Sequence, residues 1–399
     1  MKGRRNGGST GSTRGADADE YEIRAYEPAD RNAVRSLYEQ TFGPRSETWF
    51  EWYYLENPYL EEVPIVVAEH AGEVVAARPS LPVPLNVGGN RMLALVQVDP
   101  MVSPDHRRQG LFSRMVTHVY RRYASREPTI SVGFPNEAVK GALEKLGSEL
   151  SLHAGVSYRF PEYFRIQDPR AMVRESTDKP APLAFARLST SAVGGYLAVR
   201  DALAAGGGDI AVERIEGVPT TRLASLAGEP SLGVIRAVRD EEFYRWRFGD
   251  PRYDYRTYLA FSGGDPVAAT VARWPSDPET QEHVVHVSEV VPPTGDAHGC
   301  EIGDGNRRER SLTALLDCVV EDAADAAGVA TGGSVIPPSL LADRGFRHRN
   351  RFPLSMLSGT NYFVARPLTD EDVDEWTVGG CRLSDPESWQ LSYFERELG

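Results

Sequence analysis

Val102-Ser103-Pro104-Asp105-His106-Arg107-Arg108-Gln109-Gly110-Leu111-Phe112-Ser113-Arg114-Met115 is the end of an apolar strand that runs through a short Arg/Gly loop directly into a helix. Backbone N–H groups in the first turn of a helix have no intrahelical acceptor and carry the positive end of its dipole. A glycine there lets the main chain come close to a ligand, so the segment reads as an anion cradle of the pyrophosphate kind. Arg107 and Arg108 add charge and forked donors. After the loop, Leu111, Met115, Val119 and Tyr123 recur at helical spacing and give the helix one apolar face.

Working outward, residues 21–26 read as a strand, followed by a helix starting near Asp30 with Val34, Leu37 and Tyr38 on one side. An aromatic helix at residues 48–54 comes next. Residues 65–68 turn at Ala71-Gly72-Glu73 into residues 74–77, which is a hairpin pattern, and the strand at residues 93–102 feeds the opening loop. Beyond the helix, residues 129–133 form a short buried strand, and residues 137–146 a helix ended by Gly147.

The later half repeats this plan. A strand at residues 210–215 precedes a helix at residues 220–226, and the aromatic helix Glu241-Glu242-Phe243-Tyr244-Arg245-Trp246-Arg247-Phe248 ends in Asp250-Pro251, as the first aromatic helix ends in Asn57-Pro58. The interval from Pro58 to Ala76 equals that from Pro251 to Ala269, 18 residues in each. Duplication of a unit is the simplest account, with chance similarity of two mixed sheets as its rival. Residues 283–292 repeat the strand before the cradle. There, Asn306-Arg307-Arg308-Glu309-Arg310 puts Arg310 where a glycine is needed, so a single cradle is expected, in the first half.

Composition narrows the partners. With 399 residues the chain has room for two domains, and its formal charge of −13 disfavours nucleic acid and anionic membranes, which require clustered basic charge. Only Lys2, Lys140, Lys145 and Lys179 of the 44 basic residues are lysines, a bias produced both by salt adaptation and by a GC-rich genome. Cys300, Cys318 and Cys381 have neither zinc-site nor disulfide spacing, so no metal is expected and a reduced, cytoplasmic setting is the default. No apolar run approaches the roughly 20 residues of a membrane helix, and residues 1–16 lack the apolar core of a signal peptide.

Two segments resemble the GCN5-related N-acetyltransferase (GNAT) superfamily. Val102-x-Pro104-x-x-Arg107-x-x-Gly110 is similar to its strand and acyl-CoA pyrophosphate loop, with Phe112 in place of a small residue. Asn136-Glu137-Ala138-Val139-Lys140-Gly141-Ala142-Leu143-Glu144-Lys145-Leu146-Gly147 is similar to its Asn-x-x-Ala-x-x-x-Tyr-x-x-x-Gly signature, with Leu143 in place of the tyrosine that often reprotonates the thiolate. Leu340-Leu341-Ala342-Asp343-Arg344-Gly345-Phe346 resembles the family's Leu-x-x-x-Gly-Phe finish in the second half.

The resemblance implies an α+β fold of two GNAT-like units, each a mixed, mostly antiparallel twisted sheet flanked by helices, the second degenerate. Expected boundaries are a disordered tail at 1–20, an acyl-CoA-binding domain at 21–165, a connector at 166–208, a degenerate unit at 209–365 and a docked tail at 366–399. It implies direct transfer of an acyl group, expected to be acetyl, from acetyl-CoA to a small-molecule amine or amino sugar. No nucleophile elbow or Cys/His pair argues for a covalent intermediate. A non-catalytic acyl-CoA sensor and an interaction scaffold are the alternatives.

Cofactor contacts are expected from Val102, Ser103, Arg107, Arg108, Gln109, Gly110, Leu111 and Phe112. Asn136 either bonds the pantetheine arm or caps the next helix. Asp99, before the cradle, is a candidate base, although Asp-Pro is also a common turn pair. Glu289 is a second candidate that would act from across the unit interface, with a strand-edge carboxylate as the plain reading. Glu137 reads as a first-turn carboxylate, His106 as a phosphate donor or a solvated histidine, and Tyr120 and Tyr123 as packing residues.

Overall fold

A computed structural model describes residues 21–149, 155–168, 171, 210–228, 232–276, 283–293, 302–351, 354–356, 361–369 and 376–396. The expected tail at 1–20 and nearly all of the connector lie outside the described residues.

In the first half the order is β1 (Glu22–Ala25), α1 (Arg31–Phe42), α2 (Glu47–Phe50), β2 (Ile65–His70), β3 (Glu73–Val87), β4 (Asn90–Gln97), β5 (Met101–Val102), α3 (Leu111–Tyr123), β6 (Ile130–Gly133), α4 (Glu137–Glu149), β7 (Val156–Arg159) and β8 (Glu162–Ile166). In the second it is β9 (Ile210–Glu216), α5 (Thr220–Ala227), β10 (Ile235–Ala237), α6 (Glu241–Arg247), β11 (Tyr253–Ser262), β12 (Asp265–Pro275), β13 (Val284–Val291), α7 (Ile302–Asp322), β14 (Gly328–Gly332), α8 (Pro338–Asp343), β15 (Arg347–His348), β16 (Tyr362–Pro367), β17 (Thr377–Val378), β18 (Cys381–Arg382) and α9 (Tyr393–Arg396).

Local sequence accounts for most of these. Ser46 accepts from the Trp49 N–H and caps α2, which continues as one π-helical turn over Glu51–Leu55 that keeps Trp52, Tyr53 and Tyr54 buried. The β2–β3 hairpin turns at Ala71 (φ 54°) and Gly72 (φ 85°), the left-handed pair that matches strand twist. Asp240 accepts from the Phe243 N–H and caps α6.

The fold is α+β, with two mixed sheets that share one strand order. The first runs β1-β2-β3-β4-β6-β16-β7 and the second β9-β11-β12-β13-β14-β8-β15. In each, one adjacent pair is parallel, β4 with β6 and β13 with β14, and the neighbouring pairs are antiparallel.

One strand is exchanged in each direction. β8, from the first half, inserts between β14 and β15, while β16, from the second half, inserts between β6 and β7. Measured against the expected boundaries at 165/166 and 365/366, each half therefore lends the strand nearest its boundary to the other sheet.

Both sheets also carry a one-residue bulge. Ser80 opposes Gln97 but Ala77 opposes Met101, and Ala272 opposes Val287 but Val271 opposes Glu289. The strand expected at residues 93–102 is consequently two strands, broken at the first of these bulges.

The largest core cluster crosses between the halves. Trp49, Trp52 and Tyr54 from α2 and its π turn join Phe243, Trp246 and Phe248. At its centre Trp52 Nε1 donates to the Trp246 carbonyl at 2.7 Å and Trp246 Nε1 donates to the Trp52 carbonyl at 3.2 Å, a reciprocal contact of two equivalent elements. Two smaller clusters pack α3 on the first sheet and α7 on the second. Trp389, Leu391, Tyr393 and Phe394 near the C-terminus are buried in the shared cluster.

Candidate active site

The bulge at residues 98–100 opens the first sheet. β4 stays parallel to β6 as far as the Gln97/Gly133 pair, after which β5 follows β3 alone. The two strands part in a V, lined by a cleft of about 370 Å³ that includes Thr41 and Phe42 of α1, Asp99 and Pro100 of the bulge, and Asn136 and Leu143 of α4 and its cap. Ser103 N–H donates to the Val75 carbonyl, so antiparallel alternation turns the Val102 N–H and C=O away from β3 and toward the open V. Arg107 Nε already donates to the Val102 carbonyl at 3.2 Å.

Beyond β5, the loop enters α3 through two left-handed residues, Arg108 (φ 63°) and Gly110 (φ 72°), with Gly110 as the helix N-cap. Among the described residues, the N–H groups of Arg108 to Ser113 meet no protein acceptor. They converge where the α3 dipole is positive, the geometry that binds phosphate oxygens. Arg107, Arg108, Gln109 and Gly110 are exposed, and a Cβ on Gly110 would meet no atom within 4 Å. His106 is half-buried, its Nδ1 hydrogen-bonded to Oη of Tyr21, the residue before β1, at 3.0 Å.

Phe112, which stands where the resembled pattern has a small residue, does not crowd the cradle. Its ring lies under the Arg78 guanidinium, 4.9 Å from centroid to Cζ.

Asp99 sits at φ 41° inside the bulge and lines the cleft. Tyr54 Oη donates to its Oδ2 at 2.7 Å. Burial pushes the Asp99 carboxyl above the ordinary carboxylate range, while Tyr54, Arg252 and Arg45 partly offset that rise. Arg252 belongs to the second half, is held bidentately by Asp250 and lies over the Trp49 ring at 5.1 Å.

Asn136 lines the cleft and caps α4, its Oδ1 accepting from the Val139 N–H at 3.0 Å. Glu137 accepts from Tyr362 Oη of the exchanged strand β16.

Glu289 is elsewhere. It is fully buried, accepts from Arg239 Nε at 2.9 Å and lies 3.3 Å from Tyr244 Oη, and Arg239 also pairs with Glu395 at 3.1 Å. A carboxylate so enclosed is absent from the cleft lining, so its role as an acceptor base is corrected to that of a buried ion pair within the second half. Arg310 is likewise corrected. It lies more than two turns inside α7, which begins at Ile302, and so does not occupy the position of Gly110.

Sequence reasoning passed over Arg78 and Gln97, which line the cleft, and Tyr54 and Arg252, which act on Asp99. Arg78 had a signal: it is the single charge between Val74 and Val87, a stretch that otherwise reads as strand buried on both faces.

The chain matches the family described as Acetyltransferase (GNAT) domain over residues 22–150. This segment is a GNAT domain. No curated protein matches the chain. Among solved structures, a GCN5-related N-acetyltransferase from Anabaena variabilis ATCC 29413 is similar at 12% identity and a TM-score of 0.54, over 88% of this chain and 73% of that one. A probable N-acyltransferase from Enterococcus faecalis V583 is similar at 9% identity and a TM-score of 0.55, over 88% and 73%. The Saccharomyces cerevisiae N-myristoyltransferase with bound myristoyl-CoA is similar at 12% identity and a TM-score of 0.52, over 90% and 84%. At these identities the likeness is one of fold. The GNAT domain contributes the cradle and the V, and the second half adds Arg252 and strand β16.

Proposed function

We propose that the protein is an acyl-CoA-dependent N-acyltransferase that moves an acetyl group from acetyl-CoA directly to a primary amine of a small molecule. The observation that supports this reading is the short run of chain from the 98–100 bulge, which lines the cleft, through β5 to the left-handed Gly110 terminus of α3. The N–H groups of residues 108–113 and the Arg108 side chain hold the pyrophosphate. Val102 turns its main-chain groups toward the pantetheine arm. Within the bulge, Val98 N–H is committed to the Pro79 carbonyl and Pro100 has none, which leaves the Asp99 N–H to polarise the thioester carbonyl.

The Asp99 carboxylate takes the proton that the amine loses as the C–N bond forms and the C–S bond breaks. Its raised affinity for protons suits a base working near neutral pH. Leu143 brings no proton to the departing sulfur, and Tyr120, kept protonated by burial, is the hydroxyl on that side of the V.

Titration calorimetry with acetyl-CoA, followed by free-thiol release with a panel of amines, tests the reading. Binding and amine-dependent thiol release are expected. Binding without release would make the protein an acyl-CoA sensor, and the absence of binding would remove the acyl-CoA site altogether.

A further inference from the structure

Two cavities meet at β3. One is the cleft that holds Asp99; the other, about 30 Å³, lies between α3 and α4 and is lined in part by Gln97, Tyr120, Ser131 and Arg366. Arg78 and Gln97 line both. Arg78 precedes Pro79, whose carbonyl accepts from Val98, so it stands opposite the bulge where the acyl group would react.

Arg78 is 4% exposed and forms no ion pair among the described residues, and its Nε has no hydrogen-bond partner. Gln97 Oε1 accepts from Ser80 Oγ at 3.2 Å, but its buried Nε2 has no partner either. Among the described residues Asp99 is the one acid lining either cavity, and the cations that act on it are Arg252 and Arg45. Burial lowers the Arg78 pKa only to about 10, so the guanidinium remains charged at neutral pH. A buried cation beside an orphaned amide donor, above an aromatic ring, presents fork-shaped donors with nothing to accept from them. The smaller cavity has room for a group of two or three heavy atoms.

We propose that Arg78 and Gln97 form a carboxylate-recognition site, so that one substrate of the acyl transfer carries a carboxylate near its reacting atom. Two sources share this chemistry: a dicarboxylic acyl-CoA of the malonyl or succinyl class, and an amine acceptor of the amino-acid class. The inference rests on the acyl-transfer reading above.

The test compares kcat/KM in two arms. In the donor arm, succinyl-CoA is set against butyryl-CoA; in the acceptor arm, amino acids are set against their carboxamides. The protein should prefer the carboxylate by at least about tenfold in one arm, and that arm identifies the source. Arg78→Met should reduce the preference to within about threefold, with acetyl-CoA binding by calorimetry unchanged, and Arg78→Lys should keep part of it. Acetyl-CoA binding and turnover with no preference in either arm overturns the carboxylate site alone, as does a preference that survives in Arg78→Met. Failure to bind any acyl-CoA overturns the acyl-transfer reading and this one with it. Should Arg78→Met not fold, the preference of the unmodified protein and its partial loss in Arg78→Lys decide the matter.

Discussion

Asp99 is where the chain spends stability on chemistry. Its carboxyl has a raised pKa because burial disfavours the charged form, so the carboxyl favours the fold when protonated, and that contribution is lost as pH rises through its raised value. Asp99→Asn should therefore keep or raise Tm at neutral pH, keep acetyl-CoA binding, and lower kcat by about 10²- to 10⁴-fold. In the unmodified protein the acid limb of kcat/KM should fall above the ordinary carboxylate range and be absent from the variant. A calorimetric scan with a pH–rate profile checks all three, and a destabilised Asp99→Asn with full activity would strip the residue of its role. Sequence placed Asp99 beside the cradle, but nothing local announced Tyr54 or Arg252. Those partners arrive through tertiary packing, one of them from the other half of the chain, and no spacing rule spans such distances.

At the scale of elements, the cradle was legible because a helix N-terminus needs its pattern within a few consecutive residues. Gly110→Asp exploits this. The backbone at φ 72° is one that aspartate tolerates better than most side chains, and the space beyond is open, so folding should lose no more than about 1–2 kcal/mol. The new carboxylate would stand among the N–H groups that hold phosphate, so acetyl-CoA binding should disappear from calorimetry while the circular dichroism spectrum is kept. Normal binding would relocate the cofactor site. Less legible were the break of residues 93–102 into two strands, which only Asp99-Pro100 hints at, and Gly147. Sequence gives Gly147 the look of a helix terminator, yet α4 continues to Glu149, and a Cβ at Gly147 would lie 2.0 Å from Arg366 Nη1. The glycine admits the side chain of an exchanged strand. Its reason is non-local, whereas the terminator rule considers only the helix itself.

For the whole molecule, the repeated order of strands was foreshadowed by the matched interval from proline to hairpin: Ala76 opposes Val102 and Ala269 opposes Val291 at equivalent places in the two sheets. The exchange of β8 and β16 left no mark in the sequence, because a strand reads identically whichever sheet receives it. It does have a mechanical result. A protease site engineered between β8 and β9, once cut, should yield two fragments that co-elute as one species in native size exclusion and part only in denaturant, since each sheet contains a strand of the other fragment. Fragments that separate without denaturant would contradict the exchange. The same topology, joined to the mutual Trp52–Trp246 hydrogen bonds, is that of a strand-exchanged two-fold pair held within one chain. Two identical subunits that swap their last strands about a two-fold axis make a closed dimer, and joining the end of one to the start of the other produces this arrangement without breaking a contact. Fusion would have freed the two copies to diverge, so that one kept its Gly-lined helix terminus while the other supplied Arg252 and β16 to its neighbour.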